Sequence, residues 1–594
     1  MGPTWFRTAA DAVRESVFRA LVRLRVPLGR VPPSLALRYG IGAVAVAFAL
    51  RLATAAFTPL TDNTEARYAA IALDMADSGD WITPRVRINW WLVPYLGKPP
   101  LHFWLTAASF RALGASELAA RLPSLLESAA MVVATGWTAA AFCGVRTGVA
   151  ASAILASAVL FNLSAGTPAP DVSLSAALTF AMCSFLLGAG EQPRAAKWLW
   201  GLGFFASLGA GFLAKGPVAV ALAGFALVIW AAVSRRWRKV LDLPWITGGA
   251  VFAAIAVPWY LAAERANPGF IRYFLVNENI LRFLTPNYGD RYGAAHDLPY
   301  AVTWIYAMVL FLPWSFLAWS RGAVERAGGG LFKGARGELN AYFLAWGLSP
   351  VLFFTFSSHA LSQYVLPGFP GLAVVTAGFL VPWLDGNRAG WERARRWHVV
   401  GAAVVIFVIA MFARKSGASS GGIAILVVLG LAALAAVAAA GLVRDGAMAV
   451  LAFSLSAVLL VTGGLAALYR PMSENYSARR LVASVARDRF DPARTAAFAY
   501  AEPYSGDFYG RMWLPSGVDH RSAVNEREIW RRLVDGEETA VVIPSGRWGA
   551  FSPEFRIMVR VAHRAGKWTA LRPRLLPGRV ISPVVIYTPR LGKR

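Results

Sequence analysis

The fold is decided by residues 61–105, TDNTEARYAAIALDMADSGDWITPRVRINWWLVPYLGKPPLHFWL, which follow an apolar run long enough to cross a bilayer. The first half of this stretch carries four carboxylates, Asp62, Glu65, Asp74 and Asp77. The second half carries Arg85, Arg87 and Lys98. A hydrophobic core does not accommodate that mixture. A loop at the edge of a membrane, holding an acid or base and a charged substrate, does.

The local pattern of this loop predicts a short helix. Residues 61–64 are all types that favour the N-cap, apolar side chains then recur at helical spacing, and Gly79 ends the pattern. We expect this one-faced helix to lie along the membrane surface. Asp62 and Glu65 lie at its N-terminus, where the helix dipole favours ionised carboxylates. Capping and catalysis are therefore both open for these two residues.

Composition indicates a protein with several membrane spans. The 594 residues are 57% hydrophobic and 15% charged, with a mean hydropathy of +0.49. The net charge of +26 would suggest nucleic acid in a soluble protein. Here the basic residues cluster between apolar runs, which indicates membrane topology instead. The only cysteines, Cys143 and Cys183, form neither a disulfide framework nor a metal motif.

The apolar runs predict an α-helical polytopic membrane protein with about thirteen transmembrane helices. The predicted spans are 39–58, 119–141, 147–163, 169–189, 196–213, 216–233, 245–263, 299–320, 339–356, 365–384, 397–413, 421–442 and 447–468. Three parts follow: a cytoplasmic amphipathic segment (1–38), a transmembrane catalytic domain (39–468) whose first outer loop is 59–118, and an extracytoplasmic domain (469–594).

Basic clusters predict the orientation of these spans. They precede the first span and follow the sixth, eighth and tenth, so the positive-inside rule places that side in the cytoplasm of a bacterial cell and the C-terminus outside. Four polar segments then share the outer face: the 59–118 loop, 215–217, 264–298 and 357–364. Their common side predicts that they form one site.

The C-terminal part is predicted to be a small α/β domain. Residues 496–500, 539–543 and 584–587 are typical of short buried strands, and residues 477–489 and 522–533 of helices. Asp507, Asp519 and His520 are isolated in sequence, and we interpret them as surface residues.

The outer-loop motifs resemble those of the GT-C glycosyltransferases that use a polyprenyl-phosphate sugar, and above all the lipid A aminoarabinose transferases and the protein O-mannosyltransferases. The first outer loop of that family carries an acidic pair followed by Arg-Tyr, then a Ser-Gly-Asp-Trp turn and a Lys-Pro-Pro-Leu element. The matching motifs here are Thr64-Glu65-Ala66-Arg67-Tyr68-Ala69, Ser78-Gly79-Asp80-Trp81 and Lys98-Pro99-Pro100-Leu101. Further matches are Ala120-Arg121-Leu122-Pro123-Ser124, Leu213-Ala214-Lys215-Gly216-Pro217, the 267–283 loop and Gln363-Tyr364-Val365-Leu366-Pro367.

The resemblance implies a set of site residues. Asp62 or Glu65 would be the catalytic base, with Asp62 favoured because it lies before the helix. The donor phosphate would be held by Lys98, Arg67, Tyr68, Arg282, Lys215 and Tyr364. Fixed cations of this kind stabilise the charge that develops on a leaving phosphate. Residues near the acceptor or supporting the site would be Glu278, His296 and His359.

Departures from the family pattern affect two expectations: which residue is the catalytic base, and whether the site binds a metal. Thr64 replaces the first acidic residue of the pair, which is why the role of base passes to Asp62 or Glu65. Gly97 and Asn279 stand where the aminoarabinose branch offers Glu and His, which are associated there with a bound metal. The loss of both ligand types predicts no metal site and no cofactor.

Three functional classes remain open on the sequence. The first is an inverting transferase that moves a sugar from a polyprenyl phosphate to lipid A, another envelope glycan or, as an alternative, a protein. The second is a transporter of a lipid-linked sugar, which would place charges near the middle of the membrane rather than at one face. The third is a scaffold without catalysis.

Overall fold

A computed structural model gives the fold of this chain. It describes residues 35–573 apart from 63, 89–90, 191–192, 287, 289–291, 293–297, 316–333, 386–387, 441–445, 488–494, 499–502, 514–517, 520–537, 545–548 and 566–567. Predictions for His296, for the 522–533 helix and for the 584–587 strand lie outside the described residues, as does most of the 1–38 segment.

The described chain is predominantly helical. Its first elements are α1 (Leu35–Phe57), α2 (Glu65–Ser78), β1 (Arg85–Ile88), β2 (Trp91–Pro94), α3 (Leu101–Leu113) and α4 (Glu117–Cys143). Then follow α5 (Val145–Ser157), α6 (Val159–Ala165), α7 (Pro170–Ala189), α8 (Arg194–Lys215), α9 (Val218–Ser234), α10 (Trp237–Leu241), α11 (Trp245–Ala266), α12 (270–284) and α13 (Val302–Leu310). The membrane part ends with α14 (Gly334–Phe353), two short 3-10 helices (Phe354–Phe356 and Ser362–Gly368), α15 (Phe369–Leu384), α16 (Arg388–Lys415), α17 (Ser420–Ala440) and α18 (Gly446–Asn475).

The protein is a helical polytopic membrane protein. Within the described residues, nine helices are long and apolar enough to cross a membrane, and α5 with α6 makes a tenth if the bent pair is one span. Helix α9 is apolar but shorter, at 17 residues. Each of the thirteen predicted spans coincides with at least part of a helix, but the length and hydropathy of the described helices support fewer spans than predicted.

Helices α5 and α6 meet at 70°, and a buried arginine binds the C-terminal end of α6. The Arg51 guanidinium donates to the carbonyl oxygens of Asn162 and Leu163, each at 2.8 Å. These carbonyls lie near the C-terminus of α6, where the helix dipole favours a cation. A Cβ on Gly166 would come within 2.3 Å of the guanidinium, so only glycine leaves room for it. The contact fixes the turn that leads into α7.

The first outer loop contains the predicted helix and a hairpin that was not predicted. Helix α2 ends at Gly79, whose φ of 72° is the left-handed conformation that glycine adopts without strain. Strands β1 and β2 then pair antiparallel. Helix α3 begins directly after Pro99 and Pro100, as proline favours at a helix start.

The C-terminal elements build a mixed sheet beside this loop. They are α19 (Arg479–Arg487), β3 (Thr495–Phe498), α20 (Tyr504–Trp513), β4 (Val518–Asp519), β5 (Glu538–Pro544), α21 (Pro553–Met558), β6 (Val559–Ala565) and β7 (Trp568–Pro573). The strand order is β4-β3-β5-β7-β6, with β3 parallel to β4 and β5, and β7 antiparallel to β5 and β6. Strands β3 and β5 coincide with the predicted strands at 496–500 and 539–543.

Helix α20 packs against the first outer loop. The Tyr509 hydroxyl accepts a hydrogen bond of 2.8 Å from the Leu60 amide. The prediction that Asp507 is a surface residue is wrong, because its carboxylate is buried between Arg511 at 3.0 Å and Arg87 at 3.5 Å. The contact joins the first outer loop to the C-terminal part.

Candidate active site

A cavity of about 530 Å³ lies where the four predicted polar segments meet. Its lining includes Gly97 and Lys98 from the first outer loop, Lys215 and Pro217 from the α8–α9 turn, residues 274–275, 278–280 and 282–284 from α12, and Ser357, His359 and Tyr364 beyond α14. Segments far apart in sequence thus contribute to one cavity.

One side of the cavity holds Lys98, Arg282 and Glu278. The Arg282 Nη1 donates to Glu278 Oε2 at 3.1 Å, and the Lys98 Nζ lies 3.7 Å from the same oxygen. The Tyr273 hydroxyl donates to the other carboxylate oxygen at 2.7 Å. The Glu278 side chain is only 3% exposed, whereas both cations are 19% exposed. The carboxylate therefore lies behind the cations, which face the cavity.

The α8–α9 turn contributes a third cation to the cavity, Lys215. The Lys215 Nζ donates to the Asp171 carboxylate and lies 3.8 Å from the centre of the Tyr364 ring. Gly216 adopts a φ of 80°, and a Cβ there would lie 2.6 Å from the Phe274 ring. Glycine at this position therefore lets the turn approach α12 closely.

Asp171 was missed by the sequence analysis. It lies in the first turn of α7, directly after Pro170, where an acidic residue is usually read as a partner of the helix dipole. Its ion-pair partner, Lys215, is 44 residues further along the chain, so the local sequence does not show the contact. Asp171 lies at the start of α7 and Lys215 at the end of α8, the next helix in the chain. If two consecutive helices run antiparallel, these two ends lie on the same side, and this could have predicted the ion pair.

The middle of α12, Tyr273–Leu281, is a π-helix. Such helices are rare and are often found at functional sites. Within it the Asn279 Nδ2 donates to the Phe274 carbonyl at 2.7 Å. This backbone places Glu278 and Arg282 on the cavity wall.

Arg67 and Tyr68 do not line the cavity. The Arg67 guanidinium lies 5.1 Å from the Tyr68 ring centre and 6.0 Å from that of Tyr504, and Nη1 donates to the Tyr292 carbonyl at 3.3 Å. These contacts join the first outer loop to the C-terminal part. The proposed contact of Arg67 and Tyr68 with a donor phosphate stays a prediction.

The two predicted catalytic carboxylates both have structural partners. Asp62 accepts hydrogen bonds from the Ser505 amide at 2.7 Å and the Ser505 hydroxyl at 2.9 Å, at the start of α20. Glu65 accepts from Arg121 Nη2 at 3.0 Å and from the Thr61 amide at 3.1 Å. Neither is among the described residues that line the cavity. Their catalytic role stays a prediction.

Three further polar residues lie between helices α3, α4 and α7, and two of them, His102 and Ser173, are buried. The Ser173 hydroxyl donates to Glu127 Oε2 at 3.0 Å and lies 3.5 Å from His102 Nδ1. Burial lowers the pKa of His102 to about 3, so its imidazole is neutral.

His359, which the sequence analysis placed near the acceptor, lines the cavity. Its Nε2 lies 3.1 Å from the Thr285 carbonyl oxygen.

The donor set of the cavity does not fit a metal. Position 97 is glycine and has no side-chain ligand, and the amide nitrogen of Asn279 is bonded to a backbone carbonyl. Among the residues that the structure describes, no three His, Cys, Asp or Glu side chains lie close enough together to hold a metal ion.

The described helices and the first outer loop have the GT-C fold. Residues 59–274 match the family model described as dolichyl-phosphate-mannose-protein mannosyltransferase. The chain is also similar to ArnT from Cupriavidus metallidurans, solved with bound undecaprenyl phosphate, at a TM-score of 0.73 and 22% identity over 89% of this chain and 97% of that one. The fold predicted from the outer-loop motifs is therefore confirmed.

Curated relatives resemble the chain in sequence as well. The undecaprenyl phosphate-alpha-4-amino-4-deoxy-L-arabinose arabinosyl transferase of Enterobacter sp. (strain 638) is 29% identical over 60% of this chain and 62% of its own length. An arabinosyl transferase of the same description from Sodalis glossinidius is 33% identical over 58% of this chain and 60% of its own. The matched stretch thus spans less than two thirds of either relative. The resemblance to polyprenyl-phosphate-sugar transferases is confirmed.

Proposed function

We propose that this protein is a membrane glycosyltransferase that transfers a sugar from a polyprenyl phosphate to an acceptor of the cell envelope. The observation that carries the proposal is the cavity in which Lys98, Lys215 and Arg282 converge from three separate segments. Cations held in a partly dehydrated site stabilise the charge that develops on a departing phosphate. Tyr364 lies beside Lys215 and would help to hold that phosphate.

The apolar part of the same cavity suits the lipid portion of the donor. Phe274, Leu275, Phe283, Leu284 and Phe353 contribute to its lining. An isoprenoid chain gains free energy by burying its surface against such side chains. A donor with a charged head and a long apolar tail therefore fits the cavity better than a soluble nucleotide sugar.

The relatives suggest the sugar. Their names specify undecaprenyl phosphate and 4-amino-4-deoxy-L-arabinose, so we propose a pentose of this type. We propose lipid A as the acceptor because the outer-loop motifs resemble those of the lipid A aminoarabinose transferases. Transfer to protein is the second candidate, favoured by the family model that covers residues 59–274. A transporter is the third, and the position of the cations at one end of the bundle speaks against it.

The acceptor determines whether a base is needed. A hydroxyl must lose a proton during direct, inverting attack on the donor, whereas an ionised phosphate needs no base. Asp62 and Glu65 remain the sequence-based candidates for this role. Asp171 is a third candidate, because its carboxylate pairs with Lys215 of the cavity wall, but Asp171 is not itself among the described residues that line the cavity.

We further propose that the protein lies in the bacterial plasma membrane with thirteen crossings and an extracytoplasmic site. The basic clusters support this orientation. The contact between the first loop and the C-terminal part supports an even number of crossings between them. The domain boundaries at 38 and 468 belong to the same proposal.

The experiment is a transfer assay with purified protein in detergent or liposomes. Undecaprenyl-phosphate aminoarabinose and lipid A are supplied, and mass spectrometry measures modified lipid A and released undecaprenyl phosphate. Lys98→Met should abolish both products, while Lys239→Met, which alters a lysine paired with Glu338 outside the cavity, should retain them. Movement of the intact donor across liposomes without release of its phosphate would instead identify a transporter.

A further inference from the structure

Glu278 is the one carboxylate among the described side chains that line the cavity. The side chain is almost fully buried, and Tyr273, Arg282 and Lys98 surround its two oxygens. Removing an ionised carboxylate from water is costly, and its charge weakens the pull of both cations on an anionic ligand. A site that only had to bind phosphate tightly would not include it.

The charges around the cavity can be counted from these contacts. Lys215 is balanced by Asp171. Lys98 and Arg282 share Glu278, so this trio carries a net charge of one positive unit. The described site as a whole is thus positive by one charge, leaving His359 aside.

The two lipid phosphates of the proposed reaction differ in charge. The donor is a phosphodiester and carries one negative charge. The lipid product is a phosphomonoester and carries roughly 1.5 to 2 negative charges near neutral pH. A site of one positive charge neutralises the donor, but it leaves the product with excess negative charge.

We propose that Glu278 is a positioning residue that sets the charge of the phosphate site, so that the site discriminates against the phosphomonoester product and releases it. This inference rests on the proposed function. The carboxylate orients Lys98 and Arg282 towards the phosphate through the contacts described above. The same charge repels a ligand that carries a second negative charge.

The test compares two ligands that share the same lipid and differ in the charge of the phosphate and in one methyl group. Undecaprenyl phosphate is the monoester and its methyl ester is the diester, and their dissociation constants are measured at pH 8 and constant ionic strength. Glu278→Gln should shift the affinity ratio in favour of the monoester by roughly tenfold, since one nearby charge is removed in a partly dehydrated site. Glu278→Asp retains the charge and should keep the wild-type ratio.

The matched control is Glu338→Gln. Glu338 also joins two cations, Arg236 at 2.9 Å and Lys239 at 3.1 Å, but it lies outside the cavity. The Glu338→Gln variant should leave the affinity ratio of monoester to diester unchanged. A merely structural role for Glu278 would weaken both ligands equally, so an unchanged ratio in Glu278→Gln overturns the inference while the proposed function stands. If the wild-type protein binds neither ligand, the proposed function falls and the inference with it.

Turnover provides a second readout. In Glu278→Gln the product should inhibit more strongly, and kcat should fall more than kcat/KM because release of undecaprenyl phosphate becomes slower. A larger loss in kcat/KM with unchanged product inhibition would count against a role in release.

Discussion

Glu65→Gln tests whether the acidic residues of the first outer loop are catalytic or structural. The substitution preserves the shape of the side chain and removes its charge. In the structure Glu65 binds Arg121, whose side chain is 2% exposed. We expect the variant to lose stability and to retain most of its turnover, because the carboxylate holds the loop rather than the substrate.

The expected loss follows from the contacts of the pair. Removal of one partner from a buried ion pair typically costs about 3–5 kcal/mol. Arg121 keeps three other acceptors, the carbonyl oxygens of Ala55 at 2.8 Å, Thr58 at 2.6 Å and Pro59 at 3.0 Å. Glutamine also retains one acceptor oxygen. We therefore expect Glu65→Gln to lower the free energy of unfolding by about 2 kcal/mol, below the usual range.

The assay combines thermal unfolding of the detergent-solubilised protein with turnover measured well below the unfolding midpoint. Arg121→Met should lower the midpoint further than Glu65→Gln, since it leaves three carbonyls and a carboxylate without their donor. Glu474→Gln is the control, because its two partners, Arg470 and Arg480, are about half exposed, and ion pairs of that kind contribute little to stability.

A specific result would refute this reasoning. If Glu65→Gln unfolds at the wild-type midpoint and loses roughly 100- to 10,000-fold in turnover, Glu65 acts as a general base. The structural interpretation of Glu65 would then be wrong, and the sequence-based prediction that Glu65 is catalytic would be supported.

Four further outcomes are expected. Lys98→Met should weaken binding of undecaprenyl phosphate by roughly 10- to 100-fold, measured by isothermal titration, since a charge-assisted contact is lost. A reporter fused after residue 468 should report the extracytoplasmic side and one fused after residue 386 the cytoplasm, and a cytoplasmic C-terminus would contradict the orientation. Transfer should survive chelators, and loss of activity that zinc or magnesium restores would contradict the absence of metal ligands. Gly166→Ala should lower the unfolding midpoint at a cost of about 2 kcal/mol, because the new methyl group meets the Arg51 guanidinium, and an unchanged midpoint would show that the turn can shift.

The helices were predictable from sequence because each span is a continuous apolar run. The convergence of the four polar segments was also predictable, since the positive-inside rule sets which ends of the helices share a side. These arguments use only local composition and order along the chain.

Contacts between distant side chains were not accessible in the same way. Asp507 looked isolated because its partner Arg87 lies in the first outer loop. The partners of Asp62 and Glu65, Ser505 and Arg121, could not be read from the motif that suggested a catalytic role for the two carboxylates. The β1–β2 hairpin was missed because its strands have only four residues each and carry arginines, which obscures the alternation typical of strands.

The contact between Asp62 and Ser505 joins positions that are 443 residues apart in the chain. During synthesis the first outer loop leaves the ribosome long before α20 exists, so this hydrogen bond forms only after every intervening helix has been inserted. One missed crossing would put the two residues on opposite faces of the bilayer. The pairing can therefore form only in a chain with an even number of crossings between the two residues, and a chain with the wrong number lacks the helix that braces its first outer loop.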